Sequence, residues 1–182
     1  MAPVTVVTDS TCYLPDELAA ENGIEIVSLY VNFEGGARTV KETELMTQLD
    51  TVYADVRASD PWPTTSQPSI GDFIACYGPI LAKGHDIVSI HISEGISGTA
   101  GSARQAAEQL AREGKGGERV HVVDSGSSAG GLGLIALAAA RKARAGGSAE
   151  EVVERARETK ADLKMWFAID TLSYLRHSGR IG

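Results

Sequence analysis

Apolar and polar positions along the chain follow two alternating rhythms. Five short runs, VTVVTD (4–9), IEIVSLYV (24–31), DIVSIHIS (86–93), RVHVVD (119–124) and MWFAID (165–170), are short, apolar-rich and bounded by turn formers, as buried strands are. Between them the apolar period becomes helical. Ile70, Phe73, Ile74, Tyr77, Ile80 and Leu81 share one stripe, in which Pro79 predicts a kink, and Leu45, Leu49, Val52 and Val56 share another. Pro15 suits the first turn of a helix and Gly23 its stop. Such alternation predicts an α/β fold, a mainly parallel sheet with helices on both faces. The stretch RASDPWPTTSQPS (57–69), with its three prolines, interrupts the pattern and reads as a loop.

The pattern also divides the chain. A polar helical stretch, AEEVVERARETKADL (149–163), leads into the apolar run at 165–170, and the sequence stops at YLRHSGRIG (174–182). This ordering predicts an N-terminal domain over 1–163 and the truncated beginning of a second over 164–182. With 182 residues, 43% hydrophobic and 23% charged, the chain is long enough for one full α/β domain and part of another in a soluble protein. A net charge of −7 argues against nucleic acid and against a polybasic membrane-surface mode. Cys12 and Cys76 are far apart and form no Cys-x-x-Cys pair, which points to a reducing cytoplasm rather than a disulfide scaffold. The N-terminus lacks the basic and apolar regions of a secretory signal, and no apolar run reaches the ~20 residues of a membrane span.

The candidate chemistry lies in ISEGISGTAGSARQAAEQL (92–110), where seven of the ten residues 93–102 are Gly, Ser or Thr. They join an expected strand to an expected helix. Ligands of open α/β sheets bind at the carboxyl ends of the strands, where a helix start offers free N–H groups to an anion. Ser97 stands about where the helix N-cap falls, so it either caps that helix or holds a ligand. The run Gly95, Ile96, Ser97, Gly98, Thr99 lacks the final glycine of a nucleophile elbow, and no lysine is present for a P-loop. Gly131, Gly133 and Ala136 match a dinucleotide fingerprint, but the run starts seven residues beyond Asp124 and no acidic residue follows at the right distance; close helix–sheet packing explains them better. No cofactor is expected.

His85, His91, His121 and His177 share no metal-ligand spacing, and His91 and His121 fall within expected strands as hydrogen-bonded structural residues. Asp9 and Asp124 each end a strand beside a serine, either as catalytic carboxylates or as acceptors for nearby backbone N–H groups. In TTSQPSIGDF (64–73), Ser69 and Asp72 form a capping-box pattern for the following helix. Thr64, Thr65 and Ser66 are left without a structural task. Two hydroxyl-rich loops without a base or metal suit the holding of a carboxylate better than bond cleavage.

The motifs VTDSTCYLP, TTSQPSIGDF, ISEGISGTAGSA, VVDSGSSAGGLGL and YLRHSGRIG occur in the order and rough spacing of the DegV family of fatty-acid-binding proteins. The resemblance spans essentially the whole chain. It implies two α/β domains and a long-chain fatty acid in a tunnel, with its carboxylate near their junction. In bacteria with a fatty acid kinase, such proteins present the lipid for phosphorylation to an acyl phosphate. Carried over, the head-group site resembles Thr65 and Ser97, with Ser66, Gly98 and Thr99 beside them. Gly179, Arg180 and Ile181 match the stretch expected to face the kinase, and Arg180 is the expected partner-facing residue. Family members continue past the GRIG motif, whereas this sequence ends at Gly182. Two classes of function follow: a lipid carrier without chemistry of its own, or a hydrolase or acyl or phosphoryl transferase using Ser97 as nucleophile. The second lacks an evident histidine or lysine partner for Ser97.

Overall fold

The structure, a computed structural model, describes residues 2–181. Gly182, the last residue of the expected second-domain segment, lies outside them. Four strands, β1 (Val4–Asp9), β2 (Ile24–Val27), β6 (Asp86–His91) and β7 (Val120–Asp124), form a parallel sheet in the order β2-β1-β6-β7. A second, antiparallel sheet has the order β4-β3-β5, with β3 at Tyr30–Phe33, β4 at Arg38–Lys41 and β5 at Thr64–Ser66. The helices are α1 (Asp16–Asn22), α2 (Glu42–Leu45), α3 (Leu49–Ala58), α4 (Ile70–Ala82), α5 (Thr99–Arg112), α6 (Ala129–Arg144), α7 (Ala149–Asp162) and α8 (Ser173–His177).

The strand period of two sends neighbouring residues of β1 into different cores. Val6 joins Val88, Ile90 and residues of α1, α6 and α7, while Val7 joins Ile87 and residues of α4 and α5. Helices therefore cover both faces of the parallel sheet, as the alternation predicts. On the second face Phe73 and Tyr77 of α4 are fully buried, each stabilising the fold by roughly 1.5–3 kcal/mol. Ala100, Ala103 and Ala106 give α5 a small-residue face that lets it lie close to the sheet. Ser69 and Asp72 form the expected capping box, and Pro79 lies inside α4. Gly23 ends α1 at φ 64°, a left-handed conformation that glycine adopts without strain. A Cβ on Gly133 would stand 2.8 Å from the Cys12 carbonyl oxygen. Close packing does explain this glycine, although α6 presses on the turn after β1.

Four expectations need correction. The run 24–31 is two strands, because the chain leaves the parallel sheet at Ser28–Leu29. There Leu29 N–H donates to Ser10 Oγ (2.9 Å) and Glu42 N–H to Leu29 O (2.8 Å), so the bend keeps its backbone partners. The proline-rich stretch 57–69 is not all loop: α3 runs to Ala58, and Thr64, Thr65 and Ser66 pair with Asn32, Val31 and Tyr30. Polar residues pair well on an exposed strand such as β5, which hydrophobic periodicity cannot register. The stripe at 45–56 is split by a 3-10 turn at Met46–Gln48, and α3 buries no residue. The run 165–170 forms no strand, because no neighbouring strand pairs with it; Trp166 is 93% exposed and Phe167 75%.

Candidate functional site

The carboxyl ends of β1 and β6 meet at a buried polar chain built on the sheet face that α4 covers. Tyr77 Oη lies 2.7 Å from Ser89 Oγ, Ser89 Oγ 2.7 Å from His91 Nε2, and His91 Nδ1 3.0 Å from Asp9 Oδ2. All four residues are fully buried, and the Phe73 ring meets the His91 ring edge-on at 5.1 Å. Asp9 also accepts Ile92 N–H at 2.9 Å, Thr11 N–H at 3.1 Å and the Thr11 hydroxyl at 2.5 Å. Burial pushes the Asp9 carboxyl up, but His91, Thr11 and the Ile92 N–H outweigh it and hold it below the usual carboxylate range. Serine, histidine and aspartate thus stand in the sequence of a nucleophile, a base and its orienting group. Ser89, however, has no exposed surface to meet a substrate. The chain ties β1 to the root of the loop that follows β6, and His91 is the hydrogen-bonded structural residue expected.

That loop carries Ser97. The N-cap of α5 is Gly98, one residue later than expected, and no side chain caps it. The Ser97 hydroxyl turns instead to Thr99, 2.9 Å from its Oγ1 and 3.4 Å from its backbone N. Thr99 is buried, Ser97 half-buried and Gly98 exposed. These contacts give Ser97 no base, and His85, bonded to Thr5 Oγ1 at 2.9 Å, and His177, edge-on to Trp62, are engaged elsewhere. The loop is braced behind: Ser93 N–H donates to Ser127 O (2.9 Å) and Glu94 N–H to Asp124 Oδ1 (3.1 Å). Asp124 also accepts Gly126 N–H at 3.0 Å and pairs with Lys160 at 3.6 Å. Partial burial raises the Asp124 carboxyl; these N–H groups and Lys160 bring it below its ordinary range. Both Asp9 and Asp124 therefore serve nearby backbone N–H groups.

The second hydroxyl group stands on β5. Thr65 pairs with Val31 and is exposed, and Ser66 Oγ accepts from Asn32 Nδ2 at 3.3 Å. Two contacts join this strand to its surroundings, and neither was foreseen. Gln67 Nε2 donates to Ser102 Oγ (2.8 Å) in the first turn of α5, while its amide lies over Gly98. Arg180 Nη2 donates to Thr65 Oγ1 at 3.3 Å, which leaves the threonine's own proton for another acceptor. A single sequence offers no sign of either contact, since the positions concerned lie 35 and 115 residues apart. Among the described residues no cluster of His, Cys, Asp and Glu could hold a metal, and no helix is long and apolar enough to cross a membrane.

Comparison with known proteins agrees with these motifs. The profile of the DegV family, described as uncharacterised proteins, matches residues 3–182. A DegV domain-containing protein of Deinococcus radiodurans is 38% identical over 179 residues, covering 98% of this chain and 60% of that protein. Among solved structures, a fatty-acid-binding DegV family protein from Thermus thermophilus superposes with a TM-score of 0.81 at 34% identity, over 99% of this chain and 61% of the other. DegV of Bacillus subtilis, a fatty acid binding protein, gives 0.83 at 32% identity, over 98% and 61%. The chain thus spans about three fifths of the length of these relatives. It belongs to the DegV family.

Proposed function

We propose that this DegV family chain binds a long-chain fatty acid, with Thr65 and Ser97 holding its carboxylate and Ser66, Gly98 and Thr99 around them. The carrying observation is the uncapped start of α5: Gly98 supplies no side-chain acceptor, and the half-buried Ser97 hydroxyl stands beside it. The first-turn N–H groups and the positive end of a fourteen-residue helix favour an anion there. Gln67 draws the strand bearing Thr65 toward the same helix start. The fatty acid binding of the relatives supports this reading. Solvent extraction of the purified whole protein, followed by mass spectrometry, should recover a co-purified long-chain fatty acid. Absence of any lipid, together with no binding of added fatty acid in titration, would overturn the proposal.

The protein acts as a carrier and presents the bound acid to a fatty acid kinase for conversion to the acyl phosphate. The alternative, a hydrolase or transferase with Ser97 as nucleophile, gains nothing from the contacts of the Ser97 hydroxyl, which are both to Thr99. Arg180 is exposed beside Thr65, a position suited to meeting an acidic or phosphate group of the kinase complex. Arg180→Ala should slow phosphorylation of bound fatty acid by roughly 10-fold or more, the scale of one charged hydrogen bond. Its long, exposed contact with Thr65 predicts a change in lipid affinity below about 5-fold. Loss of the lipid with normal phosphorylation of what remains bound would assign Arg180 to the head group instead.

A further inference from the structure

We infer that Gln67 is a positioning residue, a strut that sets the spacing between the strand carrying Thr65 and the helix start carrying Ser97. The inference rests on the carboxylate-holding role proposed for those two hydroxyls. Gln67 follows β5 by one residue, and its backbone is confined to extended conformations by Pro68. Pro68 is itself buried, which anchors the base of the strut. From there the carboxamide reaches across to α5. Its nitrogen donates to Ser102 Oγ at 2.8 Å, and Ser102 is only 6% exposed and sits in the first turn of the helix. Its oxygen and nitrogen occupy the space above Gly98. A Cβ built on Gly98 would collide with Gln67 Oε1 and stand 2.9 Å from Nε2.

Gly98 therefore has no side chain for a reason outside its own backbone. Its φ of −83° is open to any residue, so the crowding a side chain there would meet comes from the movable amide of Gln67 lying on it. The two positions form one device. Any side chain at 98 pushes the amide off and breaks its bond to Ser102, whose N–H in turn donates to Gly98 O at 3.0 Å. A carboxylate is small and needs its donors at fixed separation, whereas the alkyl chain of a lipid tolerates small shifts. The strut should thus matter to the acid group and little to the chain.

Titration of the whole protein with palmitate and with hexadecanol tests this. Gln67→Ala and Gly98→Ala should each weaken palmitate binding by about 5-fold and hexadecanol by less than about 2-fold. Together they should do no more than the worse single change, since the alanine at 98 then meets empty space. Gln67 is exposed and Gly98 has an ordinary φ, so both variants should fold. Additive losses, or palmitate affinity unchanged in Gln67→Ala while Ser97→Ala still weakens it, would overturn the strut. Amide hydrogen exchange at Ser102 separates this from failure of the carboxylate reading. Faster exchange to the same degree in all three variants, with palmitate insensitive to Ser97→Ala, keeps the strut and removes the carboxylate. Unchanged exchange in all three, with Ser97→Ala still selectively weakening palmitate, does the reverse.

Discussion

Ser97→Ala and Thr65→Val should each weaken fatty-acid binding by roughly 10- to 150-fold and leave binding of a fatty alcohol of the same length nearly unchanged. A hydroxyl donating to a carboxylate makes a charge-assisted hydrogen bond of about 1.5–3 kcal/mol, and that energy gives the factor. Ser97 acts where the start of α5 already favours negative charge, without a side-chain cap to compete. Thr65 acts from β5, whose pairing with Val31 holds the backbone in place before the ligand arrives. Arg180, by donating to Thr65 Oγ1, directs the threonine's proton elsewhere. In the proposed site both hydroxyls hold one carboxylate, so the double variant should lose less than the sum of the two.

The alcohol is the informative control. If Ser97 merely braces the turn through Thr99, its loss costs about 1 kcal/mol of stability and affects acid and alcohol alike. Calorimetric titration of both ligands against both single variants distinguishes the two cases. Equal sensitivity of acid and alcohol would return Ser97 to a structural role.

The layers of the fold were legible because buried strands and amphipathic helices leave strong periodic signals. β1 and the stripe of α4 lie where the apolar rhythm placed them, and the Ser69–Asp72 box sits at the residues whose chemistry requires it. Strand β5 was illegible because Thr64, Thr65 and Ser66 are all exposed. Nothing there is buried, so no apolar alternation marks the strand, and prolines on either side suggested a loop. The run 165–170 misled for the opposite reason: it is apolar enough for a strand, but a strand also needs a partner, and sequence composition does not supply one. At the site, the hydroxyl residues were visible as types. The contacts of Gln67 and Arg180 were not, because they join distant segments through single side-chain bonds.

Replacing Asp9 by alanine should destabilise the fold by about 3–5 kcal/mol, the usual cost of removing one partner from a buried charged network. In a chain of this size that lowers the melting temperature by roughly 10 °C or more. Every partner of Asp9 is a donor: Thr11 N–H and hydroxyl on one oxygen, His91 Nδ1 and Ile92 N–H on the other. A carboxylate can only accept, and it matches all four. Asp9→Asn turns an NH2 group toward two of those donors, so the amide should rescue little. The carboxylate also fixes the direction of the chain beyond it. With Nδ1–H given to Asp9, a neutral His91 accepts at Nε2 from Ser89, and Ser89 in turn accepts from Tyr77. Tyr77→Phe removes only the last donor of that chain and should cost about 0.5–1.5 kcal/mol.

Since the folded-state carboxyl of Asp9 is held below its ordinary value, its contribution is present above the unfolded pKa of about 4. It is lost as pH falls through the folded value. Stability of the native protein should decline over that acid range by more than that of Asp9→Asn, which has no proton to take up at this position. Thermal melts of native protein, Asp9→Asn and Tyr77→Phe between neutral and acid pH measure the difference. A Tyr77→Phe variant as unstable as Asp9→Ala, or parallel acid declines for the native protein and Asp9→Asn, would show that the charge at the end of β1 does not organise the network. The root of the Ser97 loop, held by Ile92 N–H on that same carboxylate, would then owe its position to other contacts.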